Sequence, residues 1–166
     1  MEPLVTADDL RTYMQRPVRD DVADLAVLAA SATVRTHCAW NLSREATTFT
    51  LNGNNTRILN LPTLNLISVD SVVIDTVPAT GWTSSLRGQL YRAVPWPDFR
   101  RIDVACVHGY EPIPDVVKVV SLAIAARQVD NPMRFKTAAV GSVNRTFDIT
   151  GLDQLLLHPF TLFPTA

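Results

Sequence analysis

The spacing of apolar positions changes twice along the chain, and each change marks a change of structure. Thr6-Ala7-Asp8-Asp9 has the form of a capping box: a threonine oxygen can accept from the backbone while an acidic side chain reaches back. The pattern predicts a short helix from Ala7 to Gln15, ended near Pro17. A second helix is expected from Asp20 to Ala39, opened by two carboxylates that suit the positive end of the helix dipole. On it Asp24, Ser31 and Arg35 fall within a sector of about 40° and form one narrow polar stripe. Val22, Leu25, Ala26, Ala29, Ala32 and Ala39 form a broad face of mostly small residues, where alanine permits close helix approach.

At Ala46 the period shifts toward two. Phe49 and Leu51 alternate with threonines, Gly53-Asn54-Asn55 supplies a turn, and Arg57 to Leu61 answers it, so a hairpin is expected here. Leu66 to Val77, rich in valine and isoleucine, reads as a strand, and Gly81-Trp82 and Leu90-Tyr91 as short strands around turns. Arg101 to His108 alternates cleanly, with Ile102, Val104, Cys106 and His108 on one face. The middle of the chain therefore reads as an antiparallel β-unit inserted between helices.

The helical period returns after the turn at Gly109. Residues 114 to 130 are apolar on nearly every side, and Asn131-Pro132 stops the helix. A helix apolar all round has to be buried all round, and in so short a chain that burial calls for a second copy. Leu122, in mid-helix, is expected to be doubly buried. Ala138 to Ile149 reads as an extended arm around Gly141, and Gly151 to Leu157 as a short terminal helix stopped before Pro159. The last residues, through Phe160 and Phe163, are apolar where a free tail is normally polar, so this tail is expected to dock. Truncation after Thr150 is then expected to leave the fold intact and weaken assembly.

The resulting expectation is a single α+β domain over residues 1–166. A small helical core (6–40 and 112–131) carries an antiparallel insertion (46–108) and a C-terminal arm (137–166) with a short terminal helix. Composition adds to this. Charged residues are 19% of the 166, below the usual ~25%, and hydrophobic residues are 47%. A deficit of charge at ordinary size points to extra buried surface, hence interfaces. The net charge of −1 gives no general attraction to nucleic acid or an anionic membrane. No stretch approaches the ~20 apolar residues of a membrane span, no secretory signal is read at Met1-Glu2-Pro3, and no internal repeat is read. Two cysteines, Cys38 and Cys106, fit a reducing compartment.

Candidate chemistry is sparse. His37, Cys38, Cys106 and His108 have the ligand types of a zinc site and would be needed by a metal-dependent hydrolase. Their spacing is wrong, because adjacent helical residues point about 100° apart. Asp8-Asp9 and Asp20-Asp21 sit at helix starts, where capping accounts for them, and His158 sits at a helix end before a proline. No nucleophile has a recognisable surround and no glycine-rich phosphate loop is present. No catalytic residue, cofactor site or metal site is assigned. Arg127 lies on an apolar face with Val116, Val120 and Ala123. It either extends its guanidinium to solvent at the helix end or pairs with a carboxylate across a subunit boundary. Trp82, Tyr91 and Trp96 either pack over the sheet or line a pocket for a small molecule or peptide, and the pocket reading would make this a binding domain.

The order of these features resembles the head–tail connector (head-completion, adaptor) family of tailed bacteriophages. The resemblance rests on two N-terminal helices, a β insertion, and Gly109-Tyr110 leading to Pro114-Asp115. An Ala125-Ala126-Arg127 helix follows, ending at Asn131-Pro132, then Val140-Gly141-Ser142-Val143 and a leucine-rich closing helix. It implies a non-enzymatic virion protein at the head–tail interface, assembled in the host cytoplasm. It further implies a ring, commonly a dodecamer, beneath the portal protein, with a head-closure or tail-terminator protein as its next partner and DNA passing through the lumen. Subunit-interface candidates are then Arg127, Val116, Val120, Asp24 and Arg35. The docking arm would comprise Val140, Gly141, Val143 and Phe147, anchored by Leu155, Leu156, Phe160 and Phe163. The length of the β insertion departs from the family pattern.

Overall fold

The computed structural model describes residues 2–130, 137–140, 143–146 and 151–162, the two short stretches 137–140 and 143–146 by backbone alone. In chain order the elements are α1 (Ala7–Met14), α2 (Asp20–Cys38), β1 (Glu45–Asn52), β2 (Ile58–Asn60), β3 (Leu66–Ile74), β4 (Val77–Pro78), β5 (Trp82–Ser84), β6 (Gln89–Arg92), β7 (Arg101–His108), α3 (Asp115–Asp130), β8 (Thr137–Val140), β9 (Val143–Thr146) and α4 (Gly151–Leu157), with a 3₁₀ turn at His158–Phe160. This is an α+β fold of helices and antiparallel sheets. Its described residues form two compact units, a helical one (2–39, 112–130, 137–140, 143–146 and 151–162) and a β one (40–111).

The helical unit begins with the expected cap. Thr6 Oγ1 accepts from the Asp9 amide at 3.1 Å, and Asp9 Oδ2 accepts from the Thr6 amide at 2.9 Å. Donation from the Thr6 amide, and from its hydroxyl, to Asp9 Oδ2 holds the Asp9 carboxyl below its usual range. Helix α2 packs on α3, α1 packs on both, and α4 packs on α3. Arg11 at the end of α1 pairs with Asp20 at the start of α2, while Arg16 pairs with Asp130 at the end of α3. The start of α2 therefore lies at the end of α3, and the two helices run antiparallel.

The inner face of α2 is Ala23, Ala26, Val27, Ala30, Val34 and Cys38, joined by Ser31 and Arg35. These two polar residues leave the solvent because the chain upstream of α1 needs them. Ser31 Oγ accepts from the Leu4 amide at 3.0 Å, and Arg35 donates to the Glu2 carbonyl at 2.6 Å. Of the polar stripe only Asp24 stays exposed, and of the broad face only Ala26 is buried.

In the β unit, β1-β7-β3-β4 form one antiparallel sheet and β2-β6-β5 another. The expected hairpin between β1 and β2 does not form. All eight residues of β1 pair with β7, from Glu45 opposite His108 to Asn52 opposite Arg101, and β2 pairs with β6. A full-length partner with matching alternation outcompetes a strand of three residues. The turn residues instead redirect the chain: Gly53 donates to the Arg100 carbonyl and the Asn54 amide to the Ile58 carbonyl. The strand expected to reach Val77 breaks at Asp75, whose backbone has φ +52° and whose carboxylate accepts from Arg100. The core here comprises Leu59, Leu61, Leu66, Val72, Leu90, Trp96, Ile102, Val104 and Cys106. As its alternation predicts, β7 turns Ile102, Val104, Cys106 and His108 inward.

Gly109 ends β7 with φ +97°, and a Cβ there would lie 2.2 Å from the Ser43 carbonyl oxygen. Only glycine fits this exit, which returns the chain to Ser43 through the Tyr110 amide bonded to the Leu42 carbonyl.

Candidate assembly surface

Helix α2 has a second apolar face. Val22, Leu25, Ala29 and Ala32 recur at spacings of three, four and three, with Leu28 beside them. Leu25 is 69% exposed, Val22, Leu28 and Ala32 are also exposed, and Ala29 is half-buried. An open depression lined by Ala32, Thr33, Thr36 and His37 runs along the C-terminal half of the same face.

Helix α3 repeats the arrangement. Its inner face is Val117, Val120, Ser121, Ile124 and Ala125, and Ser121 is satisfied by its own helix through the Val117 carbonyl at 2.8 Å. Its outer face carries Val116, Val119, Ala123 and Ala126 at the same spacings, with Val119 52% exposed. The helix is apolar on both sides, and among the described residues only the inner side is buried. Leu122 is half-buried, not enclosed on two sides.

The subunit-interface candidates separate accordingly. Val116 and Asp24 are exposed and available. Val120 is 1% exposed and belongs to the core of its own unit. Arg35 is taken up by the Glu2 carbonyl. Arg127 finds its carboxylate inside the chain: its guanidinium meets Asp153 Oδ2 at 2.6 Å, and its Nε donates to the Ala123 carbonyl at 3.1 Å. Both partners are largely buried, so this pair does not need a neighbouring subunit.

The C-terminal candidates also divide. Residues 137–140 and 143–146 form paired strands and not one extended arm, with Val140 opposite Val143 in the β8–β9 pairing. Gly141, Phe147 and Phe163 lie outside the described residues. Helix α4 seats Asp153 and Leu157 against its own unit, and the Leu162 amide donates to the Cys38 carbonyl at 2.9 Å. The tail therefore docks on its own body, and truncation after Thr150 removes structural contacts. The opposite side of α4 presents Leu152, Leu155 and Leu156 to solvent, while Phe160 is half-buried. Asp153, which pairs with Arg127, and the exposed Val119, Leu28 and Leu152 are not singled out by the sequence. The i, i+3, i+7 repeat of Leu25, Leu28 and Ala32 was the signal for the outer face.

The other chemistry resolves into packing. Trp96 is fully enclosed, its Nε1 donates to the Leu90 carbonyl at 3.3 Å, and the Arg92 guanidinium lies 5.4 Å from its ring. Tyr91 lies on the outward side of β6, so these side chains do not line one pocket. Cys38 is buried in α2 and its thiol is pushed up to about 11. Cys106 is likewise raised by burial, and among the described residues no three His, Cys, Asp or Glu side chains gather as a metal site.

The features define a helical bundle with an inserted β unit and unused apolar helix faces, a geometry suited to assembly. No family model matches the chain, and no curated protein matches it. Among solved structures the fold is similar to a chain in the neck of an empty gene transfer agent (GTA) particle computed with C6 symmetry. That match has a TM-score of 0.69 at 14% identity and covers 98% of this chain and 92% of the other. It is also similar to a chain in the virion of a native GTA particle, at TM-score 0.70 and 14% identity with the same coverage.

Proposed function

We propose that this chain is a structural virion protein of the head–tail neck, acting without catalysis. The observation that carries the reading is the fold likeness to a neck chain over 98% of the length. The exposed seams on α2 and α3 support it, because a ring requires two different patches that meet in the next copy and close. In this reading copies form a ring between the portal and the next tail component, and DNA leaves through the lumen. A dodecamer is compatible with the sixfold symmetry used for the neck. A lumen that lets DNA pass needs weak, salt-sensitive contacts, and the net charge of −1 agrees with that.

Light scattering of the purified protein, alone and with portal protein, tests the reading. A closed oligomer or a portal-bound ring is expected. A strict monomer that ignores portal under all conditions refutes it.

A further inference from the structure

The two outer faces carry the same code. Val22-Leu25-Leu28-Ala29-Ala32 on α2 corresponds position for position to Val116-Val119-Leu122-Ala123-Ala126 on α3. In each, bulky residues occupy the N-terminal half of the seam and alanines the C-terminal half. Each helix already spends its other face inside its own unit.

Resting on the connector reading, we infer that the occupant of the α2 seam is the α3 seam of the next copy, packed antiparallel. Size complementarity requires that direction. Antiparallel pairing sets Val22 and Leu25 against Ala126 and Ala123, and sets Val119 and Val116 against Ala29 and Ala32. Bulk then meets alanine toward both ends, and Leu28 meets Leu122 at the middle, so the ends approach closely around one central leucine contact. Parallel pairing would set bulk on bulk at one end and leave a gap at the other. The depression lined by Ala32, Thr33, Thr36 and His37 falls where Val116 of the neighbour arrives.

Symmetry leads to the same direction independently. Within the chain α2 and α3 are antiparallel, as the Arg11–Asp20 and Arg16–Asp130 pairs show. A ring rotation of 60° or less cannot turn a helix by more than that angle. The neighbour's α3 therefore still runs broadly against α2. The contact is heterologous, since α2 meets α3 and not its own counterpart, and such contacts close into rings.

The experiment uses two obstructed variants of the full chain, Leu25→Asp and Val119→Asp. Both positions are exposed, and circular dichroism and melting temperature should match the parent. Each variant alone should be monomeric. Mixed one to one they should form a dimer and stop, because one retains its α3 seam and the other its α2 seam. A mixture that stays monomeric, or a single variant that assembles to parental size, overturns the seam. The connector reading survives either result as long as the parent still forms rings; a parent that never assembles defeats that reading instead. Should a variant fold poorly, the double variant Leu25→Cys/Ala123→Cys gives a second readout. Under oxidation it should yield a ladder of linked copies, with Leu25→Cys/Val116→Cys unlinked as the control. Linkage that ends at dimers, or no linkage, overturns the proposal. Cys38 and Cys106 are buried and do not compete.

Discussion

The β unit and the helical unit handle apolar side chains differently. The β unit gathers its own into one closed cluster around Trp96, and its exposed apolar residues are dispersed: Leu86, Val94 and Phe99 in turns, Ile67 and Val77 on separate strands, and Ile58 opposite Tyr91. The helical unit buries one face of α2 and one of α3 and leaves a second, periodic face open on each. Scattered exposed apolar residues are ordinary, whereas a periodic stripe is a surface made to be covered. The lesson is that one unit closes its apolar core within itself, while the other leaves two ordered apolar faces open, the faces on which the proposed assembly rests.

The strongest way to break this comparison is to open the closed core. Trp96→Ala removes the largest fully buried side chain and should cost about 3–5 kcal/mol. Chemical denaturation followed by circular dichroism measures it. A loss below ~1 kcal/mol would mean the β cluster is not a tight core and the contrast fails.

Next comes the latch of the helical unit. Arg127→Ala removes the guanidinium that faces the buried Asp153 carboxylate; loss of one member of a buried pair costs about 3–5 kcal/mol, here reduced toward the lower end because Arg127 retains some solvent. Truncation after Thr150 should destabilise the same unit, since it removes both Asp153 and the fully buried Leu157. Equal stability of the truncated and full chains would return α4 to the role of a free docking arm.

A smaller effect distinguishes the two sides of α3. Val120→Ala empties an inner position and should cost about 1.5–3 kcal/mol. Leu122→Ala, at a half-buried position, should cost less in the isolated chain and more in the assembled ring. Thermal melts of both variants below and above the assembly concentration measure the difference. Identical behaviour at the two concentrations would show that the outer side of α3 remains uncovered.

These distinctions mark where the sequence was legible. Local signals read correctly: the Thr6–Asp9 box and the alternation through β7 that sets four side chains inward, while the stop expected at Asn131-Pro132 lies outside the described residues. Each depends on neighbours a few residues away. What failed depended on distant partners. The turn at Gly53 looked like a hairpin because nothing nearby reveals that β7, some fifty residues on, offers β1 a longer ladder. Ser31 and Arg35 read as part of a polar stripe, with Arg35 an interface candidate, because the Leu4 amide and Glu2 carbonyl that engage them lie far upstream. Arg127 looked short of a carboxylate because Asp153 follows on a separate helix. The open seams were legible as apolarity but not as exposure, since a helix apolar all round does not say which half its own chain will cover.

The subtlest separation of the two units is by pH. His108 is enclosed at the end of β7, with the Phe49 ring 5.0 Å and the Trp40 ring 6.1 Å away. Neither ring nitrogen has a hydrogen-bond partner, and Glu45 Oε1 at 3.4 Å provides only a weak electrostatic contact. Burial pushes its pKa below 6.5, and Glu45 opposes this only in part. The unfolded chain therefore binds this proton before the folded one does, so stability is full above pH ~6.5 and falls as pH drops toward the folded pKa. The helical unit has a different early loss: Asp9, held low by Thr6, contributes stability above its ordinary 3.8 and gives it up only as pH falls below that. Between pH 7.5 and 5, tryptophan fluorescence should show the β unit weakening while the helical circular-dichroism signal stays constant, and His108→Phe should flatten the fluorescence trend. A β unit whose melting temperature rises on acidification in that window would mean that His108 is charged in the fold, stabilised by Glu45, and that this core is less closed than its geometry indicates.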